Sequence, residues 1–224
     1  MILPSIRTQA GTAPSRPILE RIEWTDIWVT NADQDNLPRV LFVGDSITRG
    51  YFSKAEKELE GVANCARYAT SAFISHQDFL DGLKIMLRRY DFAVIHINNG
   101  LHGWGYTEAQ YRDGFPALIK LLKEYAPNAT LIWATTTPVR RHDHVQQLKE
   151  ESTRRVRERN RIALAAVKPR GFLISDLYTL VIDHPEYYQG DGVHYNGQGT
   201  AVQAKYVAGI VRKALAARKS APKK

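Results

Sequence analysis

Short apolar runs alternate along the chain with longer segments whose apolar residues keep helical spacing, a pattern that predicts a parallel sheet covered on both faces. Residues 40–43 form the first such run, closed by Gly44, and read as a buried strand. Residues 62–69, 91–97, 130–134 and 172–175 read as four further strands. The run at 91–97 is nearly continuous, as expected of a strand buried on both faces. Between them lie predicted helices at 53–59, 77–89, 107–125, 145–167 and 196–217. Phe79, Leu80, Leu83, Met86 and Leu87 mark the inner face of the second, while Thr107 and Asn196 are placed to cap the third and the last. The expected fold class is therefore α/β: one doubly wound domain of three layers over residues 38–218, with a five-stranded parallel sheet. An arm, residues 1–37, precedes it, loose at first and then packed onto the domain through Ile22, Trp24, Ile27, Trp28 and Val29. A basic, disordered tail follows at 219–224.

A length of 224 residues suffices for one domain with a full core, and 44% hydrophobic with 24% charged residues is ordinary for a soluble globular protein. The single cysteine, Cys65, excludes an internal disulfide and falls in a predicted strand, so it reads as a buried structural thiol. No stretch approaches the length of a membrane span, and residues 1–16 lack the continuous apolar core of a secretory signal. The sequence as it stands reads as cytoplasmic, or as secreted or periplasmic if a signal has been removed. The net charge of +8 is concentrated at 212–224 and in Arg154, Arg155, Arg157, Arg159 and Arg161. A helix rich in Arg and Glu is expected to be a solvated face, and the basic residues are not interleaved with aromatics. No nucleic-acid partner is expected.

Candidate chemistry begins at Gly44-Asp45-Ser46, where a strand hands over to a helix, the edge at which open α/β sheets place their sites. A serine there needs a base to take its proton. Asp191-Gly192-Val193-His194 supplies one, because an imidazole serves as base and then as acid. Asp191, on the same turn, is placed to orient the ring. Asp45 is expected to organise the serine turn by hydrogen bonding rather than to move protons. The strand at 91–97 runs into Asn98-Asn99-Gly100-Leu101-His102-Gly103, which brings side-chain amides to the same edge. Here His102, Trp104 and Tyr106 either line a pocket or pack the loop. His142, Asp143 and His144 cluster without further ligands, so a solvated or substrate-facing loop is expected rather than a metal site.

An early Gly-Asp-Ser after the first strand and a late Asp-x-x-His before the last helix together resemble the SGNH (GDSL) hydrolase family. The resemblance implies a flavodoxin-like strand order of 2-1-3-4-5 and a catalytic triad of Ser46, His194 and Asp191. The implied oxyanion hole combines the Ser46 N–H, a backbone N–H from the loop after the second strand, and an asparagine side chain. In the register of the family's Gly-x-Asn-Asp block, Asn98 takes the asparagine's place and Asn99 the aspartate's, with His96 where the glycine stands. Asn99 is the runner-up for the asparagine role. The other loop reads Ala69-Thr70-Ser71-Ala72-Phe73 and has no glycine; Ala72 is the best match and Ser71 the second. The implied activity is ester hydrolysis through an acyl-enzyme, with no metal or organic cofactor. The chain has no long apolar lid, and polar and aromatic residues crowd positions 98–106. A short acyl group, acetyl for preference, on a carbohydrate is therefore expected, contacted by Asn99, His102 and Trp104. The expected partner is a small-molecule or oligosaccharide ester, not a membrane. Lysophospholipase or thioesterase activity and sugar O-acyl transfer are the near alternatives. A non-catalytic carbohydrate-binding module of the same fold is the alternative of another class.

Overall fold

A computed structural model describes residues 17–220. Most of the expected loose arm (1–16) and the end of the expected tail (221–224) lie outside the described residues. Strand β2 (Arg39–Gly44) is central, and each of its residues is buried. Its side chains alternate between two cores, as the period of an extended chain requires. Val40 and Phe42 face one helical layer, and Leu41 and Val43 the other.

The sheet comprises β1 (Thr25–Val29), β2, β3 (Asn64–Thr70), β4 (Val94–Ile97), β5 (Thr130–Ala134) and β8 (Leu173–Ser175), in the order β1-β3-β2-β4-β5-β8. All pairings are parallel except that of β1 with β3. Without β1 the order is the expected 2-1-3-4-5. Helices α1 (Ser46–Glu58), α5 (Leu177–Val181) and α6 (Gly197–Ser220) contribute to one core, and α2 (Gln77–Arg89) and α3 (Glu108–Tyr125) to the other. Helix α4 (Glu150–Val167) supplies Val156 to the first core and Ile162, Ala163 and Val167 to the second. Thr107 closes a capping box with Gln110 at the start of α3. At the start of α6 the Asn196 carboxamide accepts from the N–H groups of Gln198 and Gly199.

Several elements differ from expectation, among them the short helix α5, which lies in a stretch with no expected element. The segment carrying Ile27, Trp28 and Val29 is not merely packed on the domain. It is a sixth, antiparallel strand, with Thr25 opposite Thr70 and Val29 opposite Ala66. As an edge strand it leaves Trp28 58% exposed, so no core-facing alternation marked it. Helix α1 starts at Ser46 itself rather than at residue 53. Residues 145–148 are strand: β6 (Arg140–Arg141) and β7 (His144–Leu148) form a small hairpin, and α4 begins only at Glu150. Helix α6 continues to Ser220, into the segment expected to be a disordered tail.

Cys65 is buried, and burial pushes its thiol up to about 12, in keeping with a structural thiol. His96, also wholly buried, packs its ring against Phe42 and Tyr51, and burial pushes it down to about 3.

Gly114 on α3 lies against the loop after β3. A methyl group there would stand 2.9 Å from the Ile74 carbonyl carbon and 2.9 Å from the Ser75 nitrogen, both backbone atoms that cannot rotate away. Gly114→Ala is expected to destabilise the fold by about 1–3 kcal/mol, the usual cost of overpacking, read as a lower urea midpoint with unchanged slope.

Candidate active site

Ser46 is the first residue of α1, and Asp45 caps that helix, its Oδ1 accepting from the Ile47 N–H at 2.9 Å. The cap fixes the turn, and the Ser46 N–H, in the first turn, has no intrahelical partner. Asp45 thus holds the organising place expected of it. His194 arrives from the far end of the chain, with its Nε2 2.8 Å from Ser46 Oγ. Its Nδ1 lies 2.7 Å from Asp191 Oδ2. A carboxylate only accepts, so Nδ1 carries the proton and Nε2 is left to accept from the serine. Asp191 Oδ1 accepts from the N–H groups of Val193 (2.8 Å) and His194 (2.9 Å). Burial raises the Asp191 carboxyl, but these bonds outweigh it and hold the group below its ordinary value.

This loop is backed by the β6–β7 hairpin. The Arg140 N–H donates to the Gly192 carbonyl at 2.7 Å, and the Asp143 N–H to the Gly190 carbonyl at 2.8 Å. Gly192 has φ +73°, and a Cβ there would stand 2.4 Å from the Arg140 carbonyl oxygen, so a glycine is required. His142 and Asp143 form the hairpin turn, paired at 2.6 Å and largely exposed. Among the described residues no three His, Cys, Asp or Glu side chains converge as metal ligands.

A cleft of about 370 Å³ opens beside Ser46 and His194, walled by Leu101, His102, Trp104, Val139, Arg155 and Val193. A smaller one of about 210 Å³, with Arg49, Gln189 and Thr200, lies on the other side of the same pair. Of the three residues expected to contact substrate, His102 and Trp104 line the first cleft. Asn99 does not. Its Nδ2 donates to the Ala72 carbonyl (3.0 Å) and its Oδ1 accepts from the Ile74 N–H (3.2 Å), so both ends of the amide brace the loop after β3. Tyr106 stacks on Phe73, with centroids 4.4 Å apart, and packs the loop.

The expected oxyanion donors other than Ser46 are occupied. Asn98 Nδ2 donates to the Ala134 carbonyl at 2.8 Å and approaches Thr136 Oγ1 at 3.2 Å. The Ala72 N–H donates to Thr70 Oγ1 at 3.1 Å. The Ser71 N–H is used by the Trp24 carbonyl, also at 3.1 Å.

Two features of the site had no motif. Glu20, on the arm, reaches into the cleft: its Oε2 accepts from His102 Nδ1 at 2.7 Å, and its Oε1 from the N–H groups of Gly103 (2.7 Å) and Trp104 (3.3 Å). Arg159, expected on a solvated face, is fully buried and donates to the carbonyls of Gly100 (2.9 Å), His102 (2.6 Å) and Gly103 (2.9 Å). Arg155 also turns inward, to the carbonyls of Trp104 and Tyr106 and to Glu108. The i, i+4 spacing of Arg155 and Arg159 was the available signal, because it puts both on one helix face. Arg157 and Arg161 do face solvent and pair with Glu150 and Glu158.

No protein-family model and no curated protein matches the sequence. Solved structures do. A GDSL-like lipase from Bacteroides thetaiotaomicron is 18% identical, over 79% of this chain and 88% of that one, with a TM-score of 0.58. A carbohydrate esterase family 3 structure from Talaromyces cellulolyticus is 10% identical over 80% and 99%, with a TM-score of 0.64. The inhibitor-bound aryl esterase of M. smegmatis is 14% identical over 79% and 99%, with a TM-score of 0.63. The chain has the fold of the SGNH/GDSL hydrolases, and the resemblance carried by a few short motifs extends to the architecture as a whole.

Asp45→Ala is expected to cost about 1 kcal/mol, up to about 2 because the Ile47 N–H it orphans is buried, measured by urea denaturation. The Glu20–His102 pair makes docking of the arm pH-dependent. Burial raises Glu20, but His102 and the two loop N–H groups outweigh it and hold the carboxyl below its ordinary 4.5, so the stability it contributes is present above pH 4.5 and lost as pH falls through the folded value. Burial lowers His102, but Glu20 and nearby carboxylates outweigh it and hold the ring above its ordinary 6.5, so that contribution is full below pH 6.5 and lost as pH rises through the folded value. The Tm difference between wild type and Glu20→Gln is expected to be greatest between pH 4.5 and 6.5.

Proposed function

We propose that the protein is a serine esterase acting on a short acyl ester, acetyl for preference, of a carbohydrate or similar polyhydroxy alcohol. The observation that carries this reading is the continuous hydrogen-bonded line Ser46–His194–Asp191, at 2.8 and 2.7 Å, opening on a cleft. Ser46 Oγ attacks the ester carbonyl carbon while His194 Nε2 takes the hydroxyl proton. Asp191 holds the ring in the tautomer that makes Nε2 the acceptor, and stabilises the imidazolium that forms. The oxygen that turns negative is met by the free Ser46 N–H at the start of α1, where the helix dipole adds to the donor. Collapse of the tetrahedral intermediate breaks the bond to the alcohol, which leaves with the proton from His194. Water then attacks the acyl-enzyme by the same steps in reverse. For Asn98 and Ala72 to join as donors, their N–H groups must turn from the Ala134 carbonyl and Thr70.

Support for a polar, short-chain substrate comes from the cleft wall. Trp104 offers an aromatic face of the kind that packs on sugar rings, and His102, Ser152, Lys149 and Glu151 offer polar contacts to hydroxyl groups. A long acyl chain would have little apolar surface to enter, since Leu101, Val139 and Val193 are the aliphatic residues of that wall. The carbohydrate esterase among the structural neighbours is in keeping with this choice.

Wild type is expected to hydrolyse p-nitrophenyl acetate in preference to longer p-nitrophenyl esters and to label with a fluorophosphonate. Ser46→Ala should lose both properties, and Asp191→Asn about 10³- to 10⁴-fold in kcat through the wrong histidine tautomer. An optimum at long chains would replace the sugar ester with a lipid. Undiminished turnover by Ser46→Ala would remove the serine mechanism. Faster release in the presence of a sugar alcohol, with an acylated product, would make the enzyme a transferase.

A further inference from the structure

The cleft holds a second carboxylate–imidazole pair that the mechanism above does not use. His102 lines the same cleft as Ser46 and His194. Its Nδ1–H is committed to Glu20, its carbonyl to Arg159, and its ring stands edge-on to Trp24 with centroids 6.2 Å apart. The ring is therefore held in place, and among the described residues nothing bonds its Nε2. The site is also short of donors. Acyl transfer calls for more than one N–H aimed at the developing oxyanion. Yet the N–H groups of Ser71 and Ala72 and the amide of Asn98 are bonded to Trp24, Thr70 and Ala134, and none of the three residues lines this cleft.

We propose that His102 is a catalytic residue of the Ser46 site, donating from Nε2–H to the substrate carbonyl oxygen as that oxygen becomes negative, with Glu20 as its positioning residue. The inference rests on the serine-esterase reading. As the new Ser46 Oγ–C bond forms, the carbonyl π pair moves onto oxygen, where His102 and the Ser46 N–H receive it. His102 keeps its proton throughout. On collapse the pair re-forms C=O, the bond to the alcohol oxygen breaks, and that oxygen takes the proton from His194.

The ring must be an imidazolium to do this with Nδ1 already donating. From the arm it faces Glu20 and Glu23, and from the serine turn Asp45, all of which favour the cation. From α4 the Arg159 guanidinium bonds the His102 backbone carbonyl, and the wall the ring shares also carries Lys149, Glu151, Arg155 and His194.

His102→Phe is expected to lower kcat about 100-fold, the usual effect of losing one oxyanion donor, with KM little changed because the interaction strengthens only in the transition state. His102→Gln, which keeps an N–H donor, should recover part of the loss. Wild-type kcat should fall as pH rises through the His102 pKa, and Glu20→Gln should move that limb to lower pH. An activity-independent readout is the NMR titration of His102 in the Ser46→Ala protein, which should likewise shift down on Glu20→Gln. Folded His102→Phe with wild-type kcat and pH profile, an effect confined to KM, or a His102 titration indifferent to Glu20 would each overturn the proposal. None of these touches the esterase reading, which falls instead if Ser46→Ala stays active.

Discussion

The bond between Ser46 and His194 joins residues 148 apart in sequence, and the fold is arranged so that both atoms arrive at one point. Positioning of this kind tolerates little error, since a displacement of about 1 Å disables a reacting pair. Each end is therefore over-determined. On the serine side, a fully buried strand ends at Gly44, Asp45 is the cap, and the helix starts at Ser46. On the histidine side, one carboxylate gathers two backbone N–H groups and the imidazole, and the β6–β7 hairpin presses against the glycine in the middle of the turn. The hairpin carries the His-Asp-His cluster, whose value here is the backbone it brings rather than the side chains it displays.

The loop over residues 100–104 solves a different problem. Irregular backbone that is buried must still find partners for its polar groups. It finds them from two sides with opposite charge. The Arg159 guanidinium collects carbonyls from Gly100, His102 and Gly103, and the Glu20 carboxylate collects N–H groups from Gly103 and Trp104. A cation below and an anion above hold the loop that walls the cleft. Cation–π contacts of Arg159 with Phe73, Trp104 and Tyr111 extend the same brace into the aromatic packing.

What could be read from the sequence follows the range of the interactions. β5 and α2 were delimited residue for residue, because a buried strand and an amphipathic helix write their period locally. Gly44-Asp45-Ser46 and Asp191-x-x-His194 were legible for the same reason: each half is a short motif, and only their meeting is tertiary. β1 reads in sequence as a packed segment because an edge strand answers to a neighbour's backbone and not to a core. Residues 145–148 were absorbed into α4 because no cap marks its true start. The direction of an N–H or an amide cannot be read from spacing at all, and so the occupied state of Asn98 and Ala72 and the brace made by Asn99 emerged only from the structure. Glu20 is the extreme case, an isolated acid whose partners lie more than eighty residues away.

Because the cleft takes Glu20 from one end of the chain and His194, with its partner Asp191, from the other, only a fragment that runs from residue 20 to residue 194 can contain it. A chain still emerging from the ribosome displays Ser46 early, at the start of the helix after the central strand, long before His194 has been made. The Ser46–His194 bond therefore cannot form until synthesis has passed residue 194. The hydrogen-bonded line is thus completed late, by the turn before α6, when every strand of the main sheet has already been made.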